Sequence, residues 1–187
     1  THLDLDISLL NRAKYFKTFT VGGSLSYEFV PNPIRRHSFT PFKLVFNKLY
    51  KTDTILNYNQ NLYQSLQDQF IPSIGYSYTL DNSSLREGRS RTWWRFTVSE
   101  AGNLVSGVYA AFGRSFNEEK KIMKIPYAQF LKATTELRYN HYIDRNQRLA
   151  MRIGGGIIYS YGNATIAPYN ERFYVGGANS IRAFTIR

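Results

Sequence analysis

Three histidines, His2, His37 and His141, are the first residues to weigh for chemistry, and their spacing argues against it. Metal sites draw ligands from closely spaced pairs, whereas these three lie far apart along the chain. The chain has no cysteine, which removes disulfide scaffolds and cysteine-ligated metal sites. No Ser-His-Asp arrangement or carboxylate pair stands at a spacing that argues for catalysis. The run Gly154-Gly155-Gly156 invites a phosphate-loop reading, but the Lys-Ser/Thr that follows such glycines is missing and the triplet sits inside an alternating segment. Close packing of a loop against a wall poor in side chains is the better reading of these glycines. We expect no enzyme, no metal and no cofactor.

Functional content concentrates instead in Glu171–Arg187. There an aromatic pair, Phe173-Tyr174, precedes Gly176-Gly177, the spacer Ala178-Asn179-Ser180, and then Ile181-Arg182-Ala183-Phe184. Arginine suits an anchoring task, because its planar guanidinium bonds a carboxylate two-pronged and stays charged when partly buried. Gly176 and Gly177 allow φ > 0 in a turn. The use of such a segment depends on the elements that carry it.

Those elements read as strands. From Leu149 to Tyr161 the odd positions are Leu149, Met151, Ile153, Gly155, Ile157, Tyr159 and Tyr161, while the even ones include Arg148, Arg152, Gly154, Gly156 and Ser160. A period of two places these sets on opposite faces. Tyr127 to Ile143 repeats the pattern, with Leu131, Ala133, Leu137 and Tyr139 on one side and Lys132, Thr134, Glu136, Arg138 and Asn140 on the other. Shorter alternations run through Leu3–Leu9, Phe19–Phe29, Ile74–Leu80 and Trp94–Val98, and a less regular one through Phe39–Leu49. Seven strands result. Several exceed ten residues, the length a tilted strand needs to cross hydrocarbon, and tyrosines gather near strand ends as in an interfacial girdle. No apolar run approaches the roughly 18 residues of a membrane helix. The face carrying Glu136, Arg138, Arg152, Gly154 and Gly156 is then expected to line an aqueous lumen.

The connections add to this. Links are expected over Leu10–Lys17, Val30–Ser38 and Tyr50–Phe70, and from the last onward long links alternate with short ones through Asp81–Ser90, Glu100–Ile125, Asp144–Asn146 and the segment after Gly162. Outer-membrane barrels alternate in this way, with short periplasmic turns and long extracellular loops. Tyr58, Leu62, Leu66 and Phe70 recur every fourth residue, which predicts a short amphipathic helix in the long link over 50–70. The net charge of +11 raises nucleic acid as a partner, but the basic residues are dispersed and no nucleic-acid motif accompanies them. Lumen arginines account for the charge, as do Arg86, Arg89, Arg91, Lys120, Lys121 and Lys124 if their loops face anionic headgroups.

With strands and loop together, the Glu171–Arg187 segment resembles the signature loop of BamA/TamA-type outer-membrane assembly proteins, the superfamily of POTRA-plus-barrel surface antigens. The resemblance implies that residues 161–187 fold into the lumen, with Arg182 meeting an acidic residue on a later strand and Phe184 packing beside it. Ala183 departs from the family, which usually carries glycine there. If that site needs φ > 0, alanine costs about 1 kcal/mol. In the family this loop joins the eleventh and twelfth of sixteen strands, so seven strands before it correspond to the fifth to eleventh. Residues 1–187 are therefore expected to be part of a transmembrane antiparallel β-barrel, without its last strands and its N-terminal POTRA domains.

The implied activity is insertion or translocation of nascent outer-membrane proteins in a Gram-negative outer membrane, alongside lipids and periplasmic or lipoprotein partners. The alternatives are a two-partner secretion pore for one dedicated substrate, a passive porin-like channel, and a soluble β-protein that binds polyanions.

Overall fold

The computed structural model describes residues 1–12, 16–50, 66–83, 90–113, 121–122, 125–144, 146–163 and 166–174. Its framework is a single antiparallel sheet. The strands are β1 (His2–Arg12), β2 (Phe16–Asn32), β3 (Arg35–Tyr50), β4 (Gln69–Asp81), β5 (Ser90–Ala101), β8 (Phe130–Asp144) and β9 (Gln147–Ser160). They pair in chain order, β1-β2-β3-β4-β5-β8-β9. The fold is thus all-β, and among the described residues seven meandering strands form a sheet that curls as part of a barrel. Between β5 and β8 lie a helix, α1 (Asn103–Ala111), and a two-stranded ribbon, β6 (Lys121–Ile122) with β7 (Ile125–Pro126).

Register keeps the two faces separate across the whole sheet. Trp94 stands opposite Leu137, and Leu137 opposite Ile153. On the other face Arg95 stands opposite Glu136, and Glu136 opposite Gly154. The apolar face is bare: Leu3 is 74% exposed, Ile153 68%, Ile157 73% and Tyr159 69%. Water does not tolerate an apolar surface of this extent, whereas hydrocarbon does. All seven strands have 11 residues or more, enough for a tilted crossing.

Phe39–Leu49 alternates poorly because β3 is bulged. Its pairing with β4 slips between Thr40 and Lys43. A bulge gains one residue on one strand, so Phe39 and Phe42, three apart, both reach the apolar face and pair with Tyr27 and Leu25. The link over Val30–Ser38 is also tighter than expected. Strand β2 runs on to Asn32, whose side-chain oxygen accepts from the backbone N–H of Ile34 (3.1 Å) and Arg35 (2.9 Å). This Asx geometry closes the turn in two residues.

Two further differences concern the long links. Phe70 lies inside β4, opposite Phe46, because the strand begins at Gln69; Tyr58 and Leu62 fall outside the described residues. Helix α1 was not foreseen. Its N-cap is Gly102 at φ 83°, with no side-chain cap and no acidic residue in the first turn, so the usual start signals are missing.

The buried core sits at the end of the sheet where the long links gather. Ile71, Ala101, Ala128 and Phe130 pack together, flanked by Val45 and Ile158. Above them Tyr127 is buried against Ser106 of α1, with Oη and Oγ 2.7 Å apart. Burial pushes the Tyr127 hydroxyl above the usual phenol range, opposed by its Ser106 bond.

The two faces should respond differently to charge. Ile153→Arg, at mid-strand on the apolar face, is expected to lower stability in lipid vesicles by roughly 2–4 kcal/mol, measured by urea unfolding. Ala150→Lys on the polar face should change it by less than about 0.5 kcal/mol. Equal tolerance of both substitutions would mean that the apolar face is not in hydrocarbon.

Candidate functional site

The site is built on the polar face by residues that alternate with the apolar belt. Near the middle of β8, Glu136 accepts from two arginines at one oxygen: Arg138 Nε and Arg152 Nε each lie 2.7 Å from Oε1. Arg138 also covers the Trp93 ring at 4.5 Å, and Arg95 covers the same ring at 4.8 Å. Arg95 Nε donates to Thr79 Oγ1 at 3.3 Å. The sequence places Glu136, Arg138 and Arg152 on one face, and the structure joins them in one cluster. Gly154 stands beside it with room for a methyl group, since an added Cβ would meet only ordinary contacts.

Gly156 is different. A Cβ there would sit 2.5 Å from Phe173 Cζ, because the Phe173 ring packs directly onto the bare backbone. Phe173 belongs to the segment that follows β9. That segment turns at Gly162 (φ 60°) beside buried Gln129, whose side chain accepts from the Asn163 N–H and donates to Asn103. Tyr161 joins this corner by accepting from Asn103 Nδ2 at its hydroxyl.

The chain then returns across the polar face through a short 3-10 helix, Tyr169–Glu171. Asn170 Nδ2 donates to Thr20 Oγ1 on β2 (3.1 Å) and to Asn47 Oδ1 on β3 (3.2 Å). The next residue, Glu171, pairs with Lys132 Nζ on β8 at 2.9 Å, and Lys132 lies 5.2 Å from the Phe173 ring centre. In a flat sheet, four strand spacings would separate β2 from β8 by about 19 Å. Adjacent residues reach both because the sheet curls with its polar face inside. Internal bonds stiffen this strap: Arg172 Nε donates to the Ala167 carbonyl and Tyr174 Oη to the Tyr169 carbonyl. Beneath it lies a cavity of about 390 Å³ lined by Lys43, Ser73, Thr97, Lys132, Glu171 and Phe173, among others.

Gly176, Gly177, Ser180, Ile181, Arg182, Ala183 and Phe184 lie outside the described residues, as do Arg86, Arg89, Lys120 and Lys124. The described part of the strap reaches Tyr174, two residues before that motif. Among the described residues no His/Cys/Asp/Glu group could hold a metal. His2 lies 3.3 Å from Glu28, His37 shares a 2.7 Å contact with the Tyr76 hydroxyl, and His141 stacks on Tyr139. Sequence reasoning did not single out Asn170, Glu171, Thr20 or Asn47. Lys132 was visible only as one polar-face residue among several. Alternation assigns a face, but not a partner on a distant strand.

A family model described as the Omp85 superfamily domain matches residues 4–187. The chain belongs to the Omp85 superfamily. No curated protein and no solved structure matches it. At the level of the superfamily, Omp85 proteins insert or translocate outer-membrane proteins and are generally nonenzymatic. Omp85 membership and the barrel-like sheet together point to a Gram-negative outer membrane.

The strap gives this Omp85 chain a testable joint. Lys132→Glu and Glu171→Lys should each expose the 166–174 segment to protease by leaving one half-buried charge opposite its like, a loss of about 1–3 kcal/mol. The double swap should restore protection. Gly156→Val should displace Phe173 and expose the same segment. A double swap no better than either single would show that the pair does not hold the strap.

Proposed function

We propose that the chain forms wall strands and the lumen loop of a BamA/TamA-type barrel that inserts or translocates nascent outer-membrane proteins. The observation that carries this reading is the strap. The residues just before the family's signature motif run back over the polar face and are tied to β2, β3 and β8. On this reading the polar face lines the lumen, where Glu136, Arg138, Arg152 and Gly154 border water and Gly156 faces inward beneath the Phe173 ring. Arg182 and Phe184 continue the strap inward, where Arg182 meets a carboxylate on a later strand. The long links lie outside the cell and the short turns in the periplasm.

The mechanism needs no nucleotide. A nascent strand in water exposes apolar surface, and in lipid its unpaired backbone groups cost several kcal/mol each. Closing its hydrogen bonds while entering hydrocarbon therefore supplies the drive. POTRA domains and lipoprotein partners would deliver the substrate. The wall strands described here stay paired throughout, and the strap holds their curl while other strands open. This division of labour suits a sheet whose strands are long and closely registered.

Depletion of the full-length protein should remove many other barrels from the outer membrane, as read by quantitative proteomics. Loss of a single secreted protein would instead identify a two-partner secretion pore, and an unchanged proteome with altered solute uptake a passive channel. Complementation with Arg182→Ala should restore synthesis but only partial assembly. Full assembly in that variant would remove Arg182 from the mechanism.

A further inference from the structure

Among the described residues the strap touches the half of the polar face nearest the long links, through Thr20, Asn47, Lys132 and Gly156. The other half, toward the short turns at Asn32–Arg35 and Asp144–Gln147, is dominated by arginine. Arg95 and Arg138 lie on Trp93, and Arg138 and Arg152 share the Glu136 carboxylate. Four residues further along β8, nearer the turn, Arg91 and Arg148 lie over the ring of Tyr142 at 5.6 and 6.0 Å. All five guanidinium side chains are exposed on this face.

We propose that this arginine–aromatic surface binds acidic segments of the polypeptides that the barrel handles. A guanidinium stacked on a ring uses its face and leaves its N–H edge directed outward, the geometry that suits a planar carboxylate. Glu136 already demonstrates the mode within the chain, with one carboxylate oxygen taking two guanidinium donors at 2.7 Å. Arg95 stands opposite Glu136 in register and meets Thr79 and the Trp93 ring, so its positive charge remains for a second acidic group. Attraction of this kind accelerates encounter and sets orientation more than it sets final affinity. It suits a passing segment, which must bind and then leave. The inference rests on the reading of the polar face as a lumen entered from the short-turn side.

The test uses the full-length protein in detergent with a fluorescent oligoglutamate peptide and an oligoglutamine control. Oligoglutamate should bind in preference to the control and weaken steeply as salt rises. The Arg95→Gln/Arg138→Gln pair should reduce binding about tenfold, the order expected when charge-assisted bonds are removed. On the unaltered protein, oligoglutamate should protect Arg95 and Arg138 from phenylglyoxal, which keeps the test valid if the double variant fails to fold. Equal binding of the control, absence of protection, or protection by inorganic pyrophosphate alone would overturn the proposal. Depletion proteomics reads the assembly role separately: broad barrel loss without oligoglutamate binding sinks only this inference, and binding without barrel loss sinks only the assembly reading.

Discussion

Backbone pairing without interruption is the constraint on which the rest of this molecule depends. A strand in hydrocarbon has no water to satisfy its N–H and C=O groups, so each must find them in a neighbouring strand. Strands β1–β5, β8 and β9 meet that demand by joining consecutive neighbours, each antiparallel to the last. Once pairing is fixed, the pleat sends alternate side chains to opposite faces. Leu137 and Ile153 are thereby committed to one side and Glu136 and Arg152 to the other. A slip of one residue anywhere would exchange these sets. Guanidinium groups would then enter the apolar belt.

The bulge in β3 shows how narrowly that commitment is kept. Pro41 cannot donate a backbone hydrogen bond, and it lies inside the interval where the β3–β4 register shifts. The extra residue is absorbed there, and the strand resumes with Phe42 and Leu44 on the apolar face and Lys43 and Val45 on the other. Toward the long links the polar face changes character, from arginine to the small apolar core around Ile71, Ala101 and Phe130. The 127–129 segment is held against the start of β4 by the bond from Ala128 N–H to the Phe70 carbonyl, and the end of β5 is tied to β4 by the bond from Gly102 N–H to the Pro72 carbonyl. The return of the chain at Gly162 is therefore anchored on a packed rim.

Legibility in the sequence followed the range of the interaction. The faces of β8 and β9 could be read residue by residue, because alternation is local and each strand carries its own evidence. The bulge at Phe42 blurred β3, since one extra residue breaks the count without leaving a strong signal. Asn32 closed a turn through its side chain where the composition of Val30–Ser38 read as a loop. Helix α1 begins at a glycine with no cap to announce it. Lys132 and Glu171 were both in view as charged residues, yet their pairing depends on how far the sheet curls, which no local pattern encodes. The Gly176–Phe184 motif was legible as a resemblance and lies outside the described residues.

Sequence separation gives the strap one further property. Each strand pair closes between chain neighbours, so the wall can assemble by successive short-range steps. The Asn170–Thr20 bond spans 150 residues. Such a contact carries a loop-closure penalty that earlier pairings must first reduce. It becomes favourable only after β2, β3 and β8 have taken their places and the curl has drawn them together. The strap is consequently a late event in folding, and its docking marks the moment at which this stretch of wall has reached its final curvature.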